Sequence, residues 1–151
     1  VPTLVKRILV PLDHSEASLQ AAALGLTIAR SLNASLTLLH VQAGAGLELF
    51  HIDYTAFDGM SEEEAHDLIL RYVNDPYLDS VQSAIDGGDI DVQFEVCNCS
   101  PSTAICEYAG TQDIDLIVMG SRGRSGVKEL LVGSVSSHVL HHAPCPVTIV
   151  R

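Results

Sequence analysis

Between Gly120 and Ser136 the chain reads GSRGRSGVKELLVGSVS, with glycines at 120, 123, 126 and 133. Glycine lets backbone N–H groups turn toward an oxyanion with no Cβ in the way. Gly133, Ser134, Val135 and Ser136 then lead into a helical pattern. A helix N-terminus offers unpaired donors and the positive end of a dipole to a phosphate. Arg122, Arg124 and Lys128 add charge to the stretch against Glu129 alone. The spacing is G-x2-G-x9-G-[ST], from Gly120 through Gly123 to Gly133-Ser134. It is not the Walker loop, and the dinucleotide fingerprint is absent too, since Gly44-Ala45-Gly46 is followed three residues on by Leu49. The expected chemistry is phosphate held chiefly by backbone donors.

Other groups need weighing beside this cradle. Asp13 ends an apolar run, where it can contact a ligand and also cap a helix. Cys97, Cys99 and Cys106 have a C-x-C spacing that matches no standard zinc arrangement, and the four cysteines show no disulfide framework, so reduced thiols are expected. His138, His141 and His142 fall at i, i+3 and i+4, a spacing able to bind metal. They read more simply as a solvated helix face with cations near its C-terminus. No residue is assigned as a metal ligand.

These residues must be positioned by regular elements, and the pattern supplies them. Arg7 to Leu12 (RILVPL) is an apolar run suited to a strand covered on both faces. Asp13, His14 and Ser15 supply helix-start chemistry, and Leu19, Ala22, Ala23, Leu26 and Ala29 follow at helical spacing toward an end near Asn33. Ser35 to Gln42 is a second strand. Ala43 to Met60 has no clear period and reads as a long loop. Ser61 and Glu64 then match a capping box before a helical stripe, and a further segment starts at Asp75-Pro76 and runs to Ile85. Val92, Phe94 and Val96 alternate as a third strand, and Ser100-Pro101 opens another helix. Leu116 to Met119 is a fourth strand, broken by Gly120. Ser134 to His142 is helical, and Pro146 to Val150 is a fifth strand. Such alternation predicts a doubly wound parallel sheet with helices on both faces. Ligands in such sheets collect beyond the carboxyl ends of the strands, where strand order reverses. That edge receives Pro11, Leu12 and Asp13 from the first strand, His40 and Val41 from the second, and Met119 and Gly120 from the fourth.

Composition narrows the function classes. The 151 residues fit a single domain, 1–151, and 47% hydrophobic against 18% charged residues argues against disorder. The net charge of −11 disfavours sequence-independent nucleic-acid binding. Sixteen of the nineteen acidic residues lie between Glu48 and Asp115, so the Gly120 to Ser134 stretch is a local positive island. No apolar run approaches the ~18 residues of a membrane span, and the first residues lack a signal peptide's apolar centre, so a cytoplasmic location without membrane contact is expected.

RILVPLDHSEAS at the first strand, LTLLHV at the second, DLIVMGSRGRSGVKELLVGSVSSHVL at the fourth and APCPVTIV at the last resemble the universal stress protein family, in its ATP-binding branch. The resemblance covers about Lys6 to Gln42 and Val92 to Arg151. It implies a five-stranded, three-layer α/β/α sheet of order 3-2-1-4-5, of the adenine nucleotide alpha hydrolase-like kind. It also implies homodimers formed through the last strand. ATP, or AMP or ADP, is the implied ligand, with Mg2+ or Mn2+ coordinated mainly through the phosphates. Pro11, Leu12 and Asp13 are then expected at the nucleoside, with Asp13 near the ribose and phosphates, Val41 at adenine, and Met119 and Gly120 at the ribose or base. Arg122, Gly123, Gly133, Ser134, Val135 and Ser136 are expected at the phosphates. The chain departs from the family at CNCSPSTAI (Cys97 to Ile105), where a glycine-containing turn is expected, and at His14, where a small residue is common.

The leading functional reading is a nucleotide-binding regulatory module in stress response. A slow ATP hydrolase is the alternative, although no water-orienting base can be named. A flavodoxin-like or receiver-type domain is weaker, because Asp13 stands alone after the first strand and no lysine follows the last.

Overall fold

Ile8, Leu9, Val10 and Leu12 have no polar side to turn to water, and β1 (Arg7–Leu12) is buried along all but its first residue. The computed structural model describes residues 4–13, 15–42, 91–98, 100–121 and 132–151, with 40–42 and 92–98 as backbone only. Within them β2 (Ser35–Gln42), β3 (Val92–Asn98), β4 (Leu116–Gly120) and β5 (Val147–Val150) join β1 in a five-stranded sheet of order β3-β2-β1-β4-β5. Every pairing is parallel. Order and direction agree with the sequence-based expectation.

Alternate residues of each strand feed opposite cores. Ile8, Val10, Leu12, Leu36, Leu38 and Val118 pack with the inner face of α1 (Glu16–Leu32), which contributes Leu19, Ala22, Leu26 and Ala29. Leu9, Leu39, Ile117 and Met119 face the other way, against Ile105 and Ala109 of α2 (Pro101–Thr111) and Val139 of α3 (Ser134–His142). The result is three layers, α1 on one side and α2 with α3 on the other. Gly25 lets α1 lie close on the sheet, since a Cβ there would sit 2.6 Å from Val10 Cγ2. Asn33 closes α1 in the left-handed region (φ 53°, ψ 44°), as its residue type foretold.

Strand ends differ from the sequence reading in three places. Gly120 does not break β4; it is the last residue of that strand, in register with Val150. Pro146 stands outside β5 because it has no N–H, yet its carbonyl accepts from the Ile117 N–H at 3.0 Å. β3 continues past Val96 to Asn98, carried by pairing with Val41 and Gln42. The expected loop at 43–60, the capping box at Ser61 and the helical segments to Ile85 lie outside the described residues.

Proline also shapes the central seam. β1 pairs with β2 through Leu12↔His40, but its pairing with β4 stops at Leu9↔Ile117. Pro11 has no N–H to offer a ladder. Beyond Leu9 the two central strands no longer pair, at the point where the strand order reverses.

Candidate functional site

The parted ends of β1 and β4 open into a cavity of about 140 Å³. Its walls include Pro11, Leu12 and Asp13 from the end of β1, and Met119 and Gly120 from the end of β4. Gly133, Ser134, Val135 and Ser136 line it from the start of α3. All nine are residues that the sequence placed at the site. Val41 ends near the same edge in register with Cys97, but only its backbone is described. Arg122 and Gly123 lie outside the described residues.

The start of α1 is closed by its own side chains. Ser15 is the N-cap, and its hydroxyl accepts from the Ser18 N–H at 3.1 Å. Asp13 therefore does not cap the helix, as one sequence reading had it. Its Oδ1 instead accepts from the Ser15 N–H at 2.9 Å and from the Ser15 hydroxyl. The Ser18 hydroxyl donates to the Ser15 carbonyl at 2.9 Å and accepts from the Asp13 N–H at 3.4 Å, which closes the ring.

The start of α3 is different. Its N-cap is Gly133, which supplies no side-chain cap, and the first helix-type bond runs from the Ser137 N–H to the Gly133 carbonyl at 2.8 Å. The N–H groups of Ser134, Val135 and Ser136 belong to the first turn, where a helix has no acceptor of its own to offer. Three first-turn residues thus line the cavity, with the positive end of the helix dipole behind them. The first-turn amides of α3 stand at one end of the cavity and the Asp13 carboxylate at the other, so the two ends suit groups of opposite charge. The cavity is polarised, anion-accepting at α3 and hydroxyl- or cation-accepting at Asp13.

The loop that leaves β4 returns to a clamp. The Ser121 carbonyl accepts from the Gly133 N–H at 2.6 Å and from the buried Ser136 hydroxyl at 2.8 Å, while the Ser121 N–H donates to the Val150 carbonyl at 2.7 Å. Ser136 was expected at the phosphates, with backbone groups as the chief donors, and its side chain has a separate task. Its hydroxyl is directed at Ser121 and Gly133.

Gly120 has a role that the cradle reading did not foresee. A Cβ on it would lie 2.8 Å from Ala17 Cβ, 2.9 Å from Ala17 C and 3.0 Å from Ser18 N. The residue is glycine because β4 ends against the first turn of α1. Four further lining residues were missed by sequence reasoning: Ser15, Ser18, Pro101 and Ile105. The D-x-S-x-x-S spacing after β1 was a usable signal for the first two. Pro101 and the fully buried Ile105 bring α2 to the apolar side of the cavity, beside Leu12 and Met119.

Among the described residues no group of three histidine, cysteine or acidic side chains is placed to hold a metal ion. His138 and His142 stack at 4.1 Å, and the His142 Nδ1 lies 2.9 Å from the His138 carbonyl, so the histidines cover the end of α3 as a surface face. Cys106 and Cys145 are free thiols whose burial raises their pKa; Asp115 and Cys106 push Cys145 further in the same direction, against a backbone hydrogen bond at Ile117.

Strand order, crevice and polarised cavity define a doubly wound α/β protein, consistent with the adenine nucleotide alpha hydrolase-like fold that the resemblance implies. The model of the universal stress protein family matches residues 5–151. The chain is 30% identical over 151 residues to a universal stress protein of Methanocaldococcus jannaschii, spanning 98% of this chain and 83% of that protein. It is 33% identical over 150 residues to universal stress protein YxiE of Bacillus subtilis, spanning 96% and 98%. The chain belongs to the universal stress protein family. Its fold matches that of universal stress protein UspA from Lactobacillus plantarum with a TM-score of 0.67 at 28% identity, over 99% and 100% of the two chains. Two more distant structures share the fold. One is a universal stress protein in complex with cAMP (TM-score 0.66, 24% identity, 99% of both chains). The other is the Archaeoglobus fulgidus protein in complex with dAMP (TM-score 0.61, 18% identity, 99% and 100%).

Proposed function

We propose that this protein is an adenine-nucleotide-binding regulatory module of the stress response, with ATP as its ligand and AMP or ADP as related occupants. The observation that carries the reading is the polarised cavity: an uncapped helix start at α3, a carboxylate at Asp13, and an apolar wall between them. Phosphate sits at the amides of Ser134, Val135 and Ser136, with Arg122 and Gly123 of the glycine loop as the further contacts that the sequence signature implies. The ribose lies toward Asp13, and the base lies against the apolar residues and Val41. Gly133 supports this placement, because its φ of −72° is open to any residue. Its missing Cβ then serves close approach of a ligand. Mg2+ or Mn2+ is coordinated mainly through the phosphates. The adenine nucleotides held by the two distant relatives favour the same class of ligand.

The chain acts as one domain and as a homodimer through β5, which is the last strand of the sheet and whose outer edge pairs with no other strand among the described residues. Binding rather than turnover is the function. Asp13 is the one carboxylate among the described lining residues, and its Oδ1 is already held by Ser15. The test is titration with ATP and Mg2+, followed by calorimetry and melting temperature. At a hundredfold excess over Kd, linkage gives about 2.7 kcal/mol, or a rise of roughly 5–10 °C for a domain of this size. No heat and no shift at millimolar ATP overturns the proposal.

A further inference from the structure

We infer that Ser15, a residue outside the site expected from the sequence, is the positioning residue that sets the Asp13 carboxylate for a ribose hydroxyl; this rests on the nucleotide reading above. Both Ser15 donors, the N–H at 2.9 Å and the hydroxyl, go to the same oxygen, Asp13 Oδ1. Among the described residues none goes to Oδ2, and both Asp13 and Ser15 line the cavity. A carboxylate held at one oxygen by two donors has little freedom to rotate, so its second oxygen keeps a fixed direction as an acceptor. Ser15 is itself immobilised, because its hydroxyl also accepts from the Ser18 N–H and its carbonyl accepts from the Ser18 hydroxyl. Ser18 is buried, and the turn that carries it is pressed against Gly120 of β4. The chain of constraint runs from the sheet through Gly120 and Ser18 to Ser15, and from Ser15 to the carboxylate. Acceptors fixed before binding recover more of their hydrogen-bond energy than ones that must be ordered by the ligand.

The experiment compares ATP with 2′,3′-dideoxy-ATP, which lacks both ribose hydroxyls, by calorimetry on the full chain with Mg2+. Wild type binds ATP more tightly than the dideoxy nucleotide. Ser15→Ala weakens ATP about three- to tenfold and leaves the dideoxy nucleotide unchanged, so the preference collapses. Ser15→Thr restores it, because the hydroxyl is kept. Ser15→Gly, which costs a helix start only a few tenths of a kcal/mol, shows the same collapse with the fold intact. In an Asp13→Ala background the Ser15→Ala change has no further effect on ATP. Equal weakening of both nucleotides by Ser15→Ala, or an undiminished effect without Asp13, overturns the positioning role and reduces Ser15 to a helix cap. Failure of wild type to bind either nucleotide overturns the functional reading itself, and this inference with it.

Discussion

Replacing Gly120 by alanine tests the close packing of β4 on α1 that frames the cavity. The new Cβ meets Ala17 Cβ at 2.8 Å, Ala17 C at 2.9 Å and Ser18 N at 3.0 Å. Two of these three atoms are backbone, so no side-chain rotation relieves the clash. Either the end of β4 or the first turn of α1 must move. Overpacking of this kind costs about 1–3 kcal/mol. For a domain of this length that is a fall in melting temperature of roughly 2–12 °C. Gly110→Ala is the control, because its Cβ would meet only Pro144 Cγ at 3.9 Å and it lies within α2. That change is neutral or stabilising by up to about 1 kcal/mol. Ala17→Gly combined with Gly120→Ala removes the shortest contact but neither backbone contact. The double variant is therefore less destabilised than the sum of its parts and still below wild type. Urea unfolding of wild type, the three single variants (Gly120→Ala, Gly110→Ala and Ala17→Gly) and the double variant supplies the values. A Gly120→Ala protein as stable as wild type, or a strictly additive double variant, refutes the close approach of β4 to α1.

Ser136→Ala removes a buried hydroxyl from the Ser121 carbonyl, which keeps the Gly133 N–H as its other partner. The expected loss is about 0.5–1.5 kcal/mol by urea unfolding, with weaker ATP binding by calorimetry as the start of α3 loosens. For Cys145 the sign follows from its raised pKa, caused first by burial and then by Asp115 and Cys106. The folded state holds the proton more tightly than the unfolded chain, so the stabilisation is full below the ordinary thiol pKa of 9.0 and is lost as pH rises through the folded value. Thermal melts between pH 7 and pH 11 should show this alkaline decline reduced in Cys145→Ser, and thiol alkylation at neutral pH should be slow.

Among the described residues element types were legible because each rests on a local signal, while the strand order came with the family resemblance. The buried residues of β1 and β4 are apolar, α1 repeats small and aliphatic residues at helical spacing, and Asn33 marks its end. The position of the cavity followed from strand order alone, since the carboxyl edge at the order reversal collects Pro11 to Asp13 and Met119 to Gly120. The work of individual residues was less legible. Gly120 carried the signature of an anion loop, but its lack of a side chain answers Ala17, a neighbour distant in sequence and set by how α1 crosses the sheet. Asp13 suited both a cap and a ligand contact. The cap fell to Ser15 because a hydroxyl two residues on could serve the Ser18 N–H and the carboxylate together. Ile105 had only the signature of a core residue, and its place on the cavity wall depends on the tilt of α2, for which the sequence pattern has no signal.

Ser121 joins two parts of the molecule that have different surfaces. Its N–H holds the final carbonyl of β5, and its carbonyl holds both the entry and the first turn of α3. Fraying of β5 at Val150 and loosening of the turn at Gly133 thus draw on one residue, and neither can proceed far without weakening the other. The relation runs equally in both directions, as any thermodynamic coupling must. A shift of Ser121 therefore disturbs hydrogen bonds at the mouth of the cavity and at the end of β5 together.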